Sequence, residues 1–548
     1  MAVQVQTTGW IGFGFSPNGG MTGSDVVIGW DHYAFSYELP RLDISQDWIL
    51  LNATEDVGYT VLEFMRDFQT CDLQDDRAIT FGDTVHIIYC YHVIDPEDNT
   101  VIQLHNVRGT RTVNLFGQMN YKPPLSDAQF LDLRNNRVNI PPDGTSYICT
   151  AIEIPQNIRN QTHYVVKYGA VITPESKRHV LHILVHLCEG LDYTGHPSIN
   201  ISHICDEFPE ELNMCRTSVI IAGWAVGGED FVFPEEVAFP IGGDDKVHTH
   251  FVLEMRYDNP NFIPDIIDSS GMRLYYVKQP RQFNSSMISV GYLTRPQMVI
   301  PPRVDRYTVY GYCSKRCTAA HLPEDGVTIF SNLFHTHVIG VYLKLRHIRN
   351  GKELPPIDAN LHHDSAFQQH TAIPLVKVLP GDELILECGY NSSNRGFTTF
   401  GGESTREETC LAFISYYPAT PVTACASITN LASYHQWLME FVPEENHQAI
   451  IESLANKDPV AAEPLFNSLN WTVDNHQIFQ QVGRDGEQLM YCFTPTVVSG
   501  GFVLPDLPPI ITEPLWEHEV CGSGVSPVYN FYFTTICLFA ILLSIICN

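Results

Sequence analysis

Basic residues are scarce in this chain of 548 residues, with 32 Lys and Arg against 62 Asp and Glu and a formal charge of -30. That balance excludes a nucleic-acid partner, because reading phosphate requires a basic face. Charge of either sign is thin at 17%, whereas 25 Tyr, 29 Phe, 37 Gly and 35 Pro are many. Such a composition suits short strands joined by turns and argues against long helices. Paired C-x2-C knuckles are missing, so the 15 cysteines do not read as zinc ligands. The opening residues, MAVQVQTTGWIGFGFS, lack the basic and apolar regions of a signal peptide and alternate like a strand. The expectation is a gene model that has lost its first exon. Long apolar runs are also missing until Val528 to Cys547, an uncharged stretch of about 20 residues, enough to cross a hydrocarbon core of about 30 Å. Gly522, Ser523 and Gly524 precede it, so a lipid-anchor signal competes with a C-terminal span. The span is the reading preferred here.

The length allows roughly three or four domains, each with its own core. Six N-x-S/T acceptors, at Asn52, Asn160, Asn200, Asn284, Asn391 and Asn470, are spread from end to end. They mark a glycosylated protein of the secretory pathway, in the endoplasmic reticulum membrane or at the cell surface, and that compartment favours disulfides over metal knuckles.

One short run concentrates the chemistry. In SNLFHTHVIG, His335 and His337 stand two apart, so on a strand both imidazoles leave one face. Neutral imidazole suits copper and zinc. With 23 histidines in the chain, such a pair more often serves packing or the surface than a metal. The remaining motifs change that balance.

At GWIGFGFSPNGGMTGSDVVIGW the chain resembles a DOMON domain. Members of that family can hold haem or sugar, and Met21 sits in the glycine-rich loop where an axial ligand could lie, although a surface methionine is the plainer reading. Further on, DGTSYICTAIEIP, SHICDEFPEELNMC, AGWAVGGEDFVFPEEVAFPIGG, NPNFIPDIIDSSGMRLYY, YGYCSKRC, LFHTHVIG and PGDELILECGYN follow in order. Their succession resembles the copper type II, ascorbate-dependent monooxygenases related to dopamine beta-hydroxylase. The resemblance implies a mostly β chain: a DOMON β-sandwich at 1–137 without its first strands, then jelly-roll-like copper domains at 138–280 and 281–430. A short helical, disulfide-tied segment at 431–527 and the apolar tail at 528–547 would follow. Apolar spacing of three and four at Leu431, Tyr434, Leu438 and Phe441 independently predicts helix from Ser427 to about Pro459. By the family's pattern the bridges would be Cys71–Cys521, Cys149–Cys205, Cys188–Cys215, Cys313–Cys425, Cys317–Cys492 and Cys388–Cys410.

The family hydroxylates a carbon of a small aromatic or amine substrate with two coppers. One copper stores an electron from ascorbate and the other meets oxygen. Carried over residue by residue, the oxygen site would use His335, His337 and a methionine before a cysteine, and that place holds Thr409. The electron site would use two adjacent histidines and a third in a V-H-Y strand, and here those places hold Leu181, His182 and Arg256. A hydroxyl is a poor ligand for Cu(I), and a guanidinium offers no lone pair. His182, His335 and His337 remain as ligands. His179, His186, His248 and His250 lie close enough in sequence to rebuild a site. The resemblance therefore implies a monooxygenase scaffold with impaired copper sites holding at most one weak copper. The alternative is an active enzyme with a rebuilt or single site. Oligomeric state is not legible.

Overall fold

The computed structural model describes residues 1–72, 75–80, 82–96, 102–115, 127–189, 192–243, 248–494, 501–515 and 542–544. The chain forms two units, one of residues 1–115 with 516–548 and the other of residues 116–515. Cys521 and nearly all of the apolar tail lie outside the described residues. Of that tail only Leu542–Ser544 is described, a short strand parallel to Ala2–Gln4. Among the described residues no helix is long and apolar enough to cross a membrane.

Both units are built of strands, as the abundance of β-branched and aromatic residues between Gly and Pro breaks dictates. In the first unit a six-stranded sheet runs Arg41–Leu42, Trp30–Ala34, Ser24–Ile28, Ile11–Ser16, Thr84–Tyr91, Val107–Asn114. A smaller sheet carries Tyr59–Met65 at its centre. Phe13, Phe15, Trp48 and Phe64 pack edge to face and stacked in the core.

The second unit holds two sandwiches. In the first, one sheet orders Ser202–Ile204, β1 (Gly144–Glu153), β2 (His248–Asn259), β3 (Val180–Glu189) and β4 (Val219–Ala225). The opposing sheet includes Gln129–Arg134 paired along its length with Gly271–Val277. Between them Ile183, Val185, Leu253, Met255 and Leu274 are fully buried. The second sandwich has a seven-stranded sheet containing β5 (Val327–His335) and β6 (Cys410–Tyr417), and a four-stranded sheet from Tyr307–Cys313 to Lys352–Asn360. Helices follow at His435–Phe441, Glu444–Ala455, Pro459–Asn467 and Val473–Asp485, stacking Trp437, Phe466, Trp471 and Phe479 on the core. Ser427 to Thr429 end the strand Ala424–Thr429, so helical structure begins only at Leu431, and it runs well beyond Pro459 because Asp458 caps a new helix whose first residue is that proline.

Disulfides join Cys149–Cys205, Cys188–Cys215, Cys313–Cys425, Cys317–Cys492 and Cys388–Cys410. Cys71 is also disulfide-bonded, and Cys90 is a free thiol that burial pushes up to about 11. All six acceptor asparagines are exposed.

Candidate metal centre

The strand ladder of the first sandwich sets out one row of side chains. Tyr147 on β1 pairs with Arg256 on β2, and Arg256 pairs with His182 on β3. Directly opposed residues share a face, so the three side chains emerge together. Leu181 occupies a register shift between Val180 and His182. A bulge of this kind frees neighbouring residues from pointing to opposite faces, which a strand otherwise imposes. Leu181 is half-buried, and its carbonyl accepts from the Val226 backbone at 2.8 Å.

The second sandwich supplies the facing histidines. His335 is the last residue of β5, and His337 lies just past the strand end, with ring centroids 5.5 Å apart. His182 meets His335 edge to face at 5.7 Å. Leu411 on β6 lies opposite His335, and extending that antiparallel register by two residues sets Thr409 opposite His337. Thr409 is buried, and its Oγ1 has no partner among the described residues. Phe413 lies 6.5 Å from His335 ring to ring.

Hydrogen bonds fix the two imidazoles. His337 Nδ1 donates to the Glu407 carbonyl at 2.9 Å, so its Nε2 is the acceptor, and Arg256 Nη1 donates to it at 2.6 Å. The lone pair that a metal would need therefore carries a guanidinium proton. His335 Nδ1 donates to Gln368 Oε1 at 2.7 Å, and the Gln368 amide donates in turn to the Thr336 and Ser365 carbonyls. Gln368 also donates its backbone N–H to Val226 of the first sandwich at 3.0 Å. Its role matches that of the outer-shell partners that set ring orientation in metal sites.

Electrostatics oppose further positive charge here. Burial, then Arg256, holds His335 down to about 4, and the same two causes with His335 hold His337 well below the usual histidine range. Burial, His335 and Arg256 do the same to His182. Glu408, fully buried, accepts from the His337 and Ile339 backbones at 2.8 and 2.7 Å, and burial pushes it up to about 7. Glu254 shares the face of Arg256 but belongs to Arg216 at 2.7 Å and His186 at 3.7 Å. Burial would raise its carboxyl, yet His186 and Arg216 pull it well below the carboxylate range.

His363 is the histidine that sequence reading missed. It is buried, neither ring nitrogen has a partner among the described residues, and burial with the nearby His335 lowers it to about 3. Only its place in the run LHHDSAFQQH hinted at it. The other candidates turn elsewhere: His179 faces the Asp258 carbonyl, His186 faces Glu254, and His250 bonds Thr249. Among the described residues, only Cys149/Cys205/Glu254 and Asp25/Asp31/Asp76 form trios of metal-type atoms within 4.8 Å of one another. The first includes a disulfide. In the first unit Met21 is half-buried and lines an apolar cavity of about 620 Å³ with Trp10, Phe13, Ile88 and His105.

Comparison with known proteins adds three family matches: a DOMON domain over residues 1–92, and the N- and C-terminal domains of copper type II ascorbate-dependent monooxygenase over 131–264 and 283–437. The human DBH-like monooxygenase protein 1 is 30% identical over 99% of this chain and 90% of its own length. Human dopamine beta-hydroxylase is 30% identical over 91% of this chain and 81% of its own. The Drosophila melanogaster MOXD1 homolog 2 is 30% identical over 95% and 72%.

Proposed function

Because the chain belongs to the copper type II, ascorbate-dependent monooxygenase family, we propose that it keeps this scaffold while its own copper sites no longer sustain two-copper hydroxylation. The observation that carries this reading is the 2.6 Å bond from Arg256 Nη1 to His337 Nε2. A substituted ligand of one site thereby masks a retained ligand of the other, and a fixed guanidinium charge opposes a cation at both. Leu181 and Thr409 support the same reading, since neither replaces the donor that the family places there. The donor set does not fit two coppers. His335 keeps its Nδ1 proton on Gln368, which directs its Nε2 lone pair away from that bond. With His182 or His363 it supports at most one weak copper, so a single-copper activity is the second reading.

Metal analysis of the purified full chain after copper loading and desalting tests the proposal. One equivalent or less is expected, with no ascorbate-dependent benzylic hydroxylation of phenethylamines above an H335A/H337A control. Two tightly held equivalents would overturn it. We further place the chain in the secretory pathway as a glycoprotein, supported by its disulfides and six exposed acceptor asparagines. An unchanged gel mobility after glycosidase treatment of protein from secretory cells would refute that placement.

A further inference from the structure

Arg256 is 2% exposed, yet its guanidinium uses only one nitrogen, Nη1, on His337. Nε and Nη2 are both buried, and among the described residues no atom accepts from either. Those two nitrogens form one edge of the guanidinium fork, the edge that binds a carboxylate in parallel. This chain uses it so elsewhere. Arg273 gives Nε and Nη2 to Asp132 at 2.6 and 2.8 Å, and Arg349 gives the same pair to Asp382 at 2.8 Å each. Among the described residues no carboxylate lies within ion-pair distance of Arg256. Glu254, two residues along the same face, is held by Arg216. Directly across the ladder His182 Nε2 is also buried, without a partner among the described residues, and an imidazole can donate from that nitrogen. A buried guanidinium without a counter-charge is costly, and a planar anion able to take two parallel N–H bonds would relieve it best.

We propose that the Nε/Nη2 edge of Arg256, with His182 Nε2 beside it, binds the carboxylate of a small organic acid between the two sandwiches, where the family pattern puts an electron-storing copper. The inference rests on the reading that copper does not occupy this place. It names the ligand class that would occupy it. Tyr147 flanks the guanidinium, its ring 5.8 Å from the guanidinium carbon and its hydroxyl held on the Glu403 carbonyl at 2.8 Å. His337 keeps the fork oriented through Nη1. A halide can accept both N–H bonds only in a bent geometry, whereas the two oxygens of a carboxylate take them in parallel.

The test is equilibrium dialysis of the full chain against radiolabelled acetate at fixed ionic strength. Wild-type protein is expected to take one saturating equivalent. Arg256→Lys keeps the charge but loses the fork, and its affinity should fall at least about tenfold. Arg349→Lys, at a fork already filled by Asp382, should leave acetate binding unchanged. If Arg256→Lys does not fold, wild-type protein labelled at its histidines gives the answer by NMR: acetate should shift His337 and His182 and leave His447, which bonds the Val442 carbonyl, in place. Absence of saturable binding, binding indifferent to Arg256→Lys, or chloride displacing acetate at equal concentration would each overturn the assignment. A copper-free chain that ignores acetate would overturn this inference alone. A chain holding two coppers would overturn the reading beneath it as well.

Discussion

Each unit buries one arginine among titratable groups, and the two are compensated differently. Arg66, in the first unit, has Asp25 at 2.9 Å and Asp76 at 3.4 Å, with all three side chains 1% exposed. Arg256, in the second unit, has three histidines near it and, among the described residues, no acid within ion-pair distance. In the first unit carboxylates outnumber the cation, so burial raises Asp25 to about 7 and Asp31 to about 8. In the second unit the cation is in excess and the imidazoles yield instead. The sign of the excess decides which groups carry the cost of burial, and it gives the two clusters opposite responses to the same perturbation.

The strongest way to break the contrast is to turn the second cluster into a metal centre. Leu181→His, Arg256→His and Thr409→Met together should raise bound copper from one equivalent or less to two, whereas Thr409→Met alone should not, because Arg256 still masks His337. Metal analysis of the triple variant checks this. A triple variant as poor in copper as the parent would show that the surrounding groups, Gln368 among them, no longer support the site.

Removing each cation comes next in size. Arg66→Met leaves Asp25 and Asp76 buried without a counter-charge and should destabilise the first unit by about 3–5 kcal/mol. Arg256→Met leaves only the His337 Nε2 acceptor bare and should cost about 1 kcal/mol. Denaturant titration with hydrogen exchange resolved by unit would measure both. Equal costs would erase the distinction.

A smaller effect is the slope of stability with pH. Asp25 and Asp31 are raised, so their contribution is full below pH about 4 and is lost as pH climbs through about 7 to 8. His370, fully desolvated beside Ser331, is lowered to about 3, so its contribution is full above pH about 6.5 and is lost as pH falls toward 3. Between pH 5 and 8 exchange protection should therefore weaken upward around Asp25 and Asp31 in the first unit and downward around His370 in the second, where Glu408, raised to about 7, acts in the opposite sense at its own strand end. Parallel trends would mean that some other group governs one of them.

Much of this was legible in the chain. The β architecture follows from composition and alternation, and the spacing of His335 and His337 singled out one strand end. The positions of Leu181, Arg256 and Thr409 were readable only because signposts such as Cys188, the NP after Tyr257 and Cys410 held the register. Illegible were the contacts made across the two sandwiches. That Arg256 would donate to His337, 81 residues on, has no signature in spacing, because it depends on how two folded sheets face each other. Gln368 and His363 were missed for the same reason, since loop residues are positioned by the scaffold and not by a period. The helices beyond Pro459 fall inside the segment that the family pattern marks as helical, although the apolar spacing reached only about that proline. The Asp458 cap before it makes that proline a start.

The shift of register at Leu181 carries a consequence for how such a chain can change over time. A bulge is written in the backbone, in the pairing of Val180 with Tyr257 and of His182 with Arg256 and in the bond from Val226 to the Leu181 carbonyl. None of those contacts involves the Leu181 side chain, so its identity is uncoupled from the geometry that presents it. A single codon change can therefore exchange the occupant there while the fold stays fixed, and a histidine placed at 181 would be presented by the same backbone.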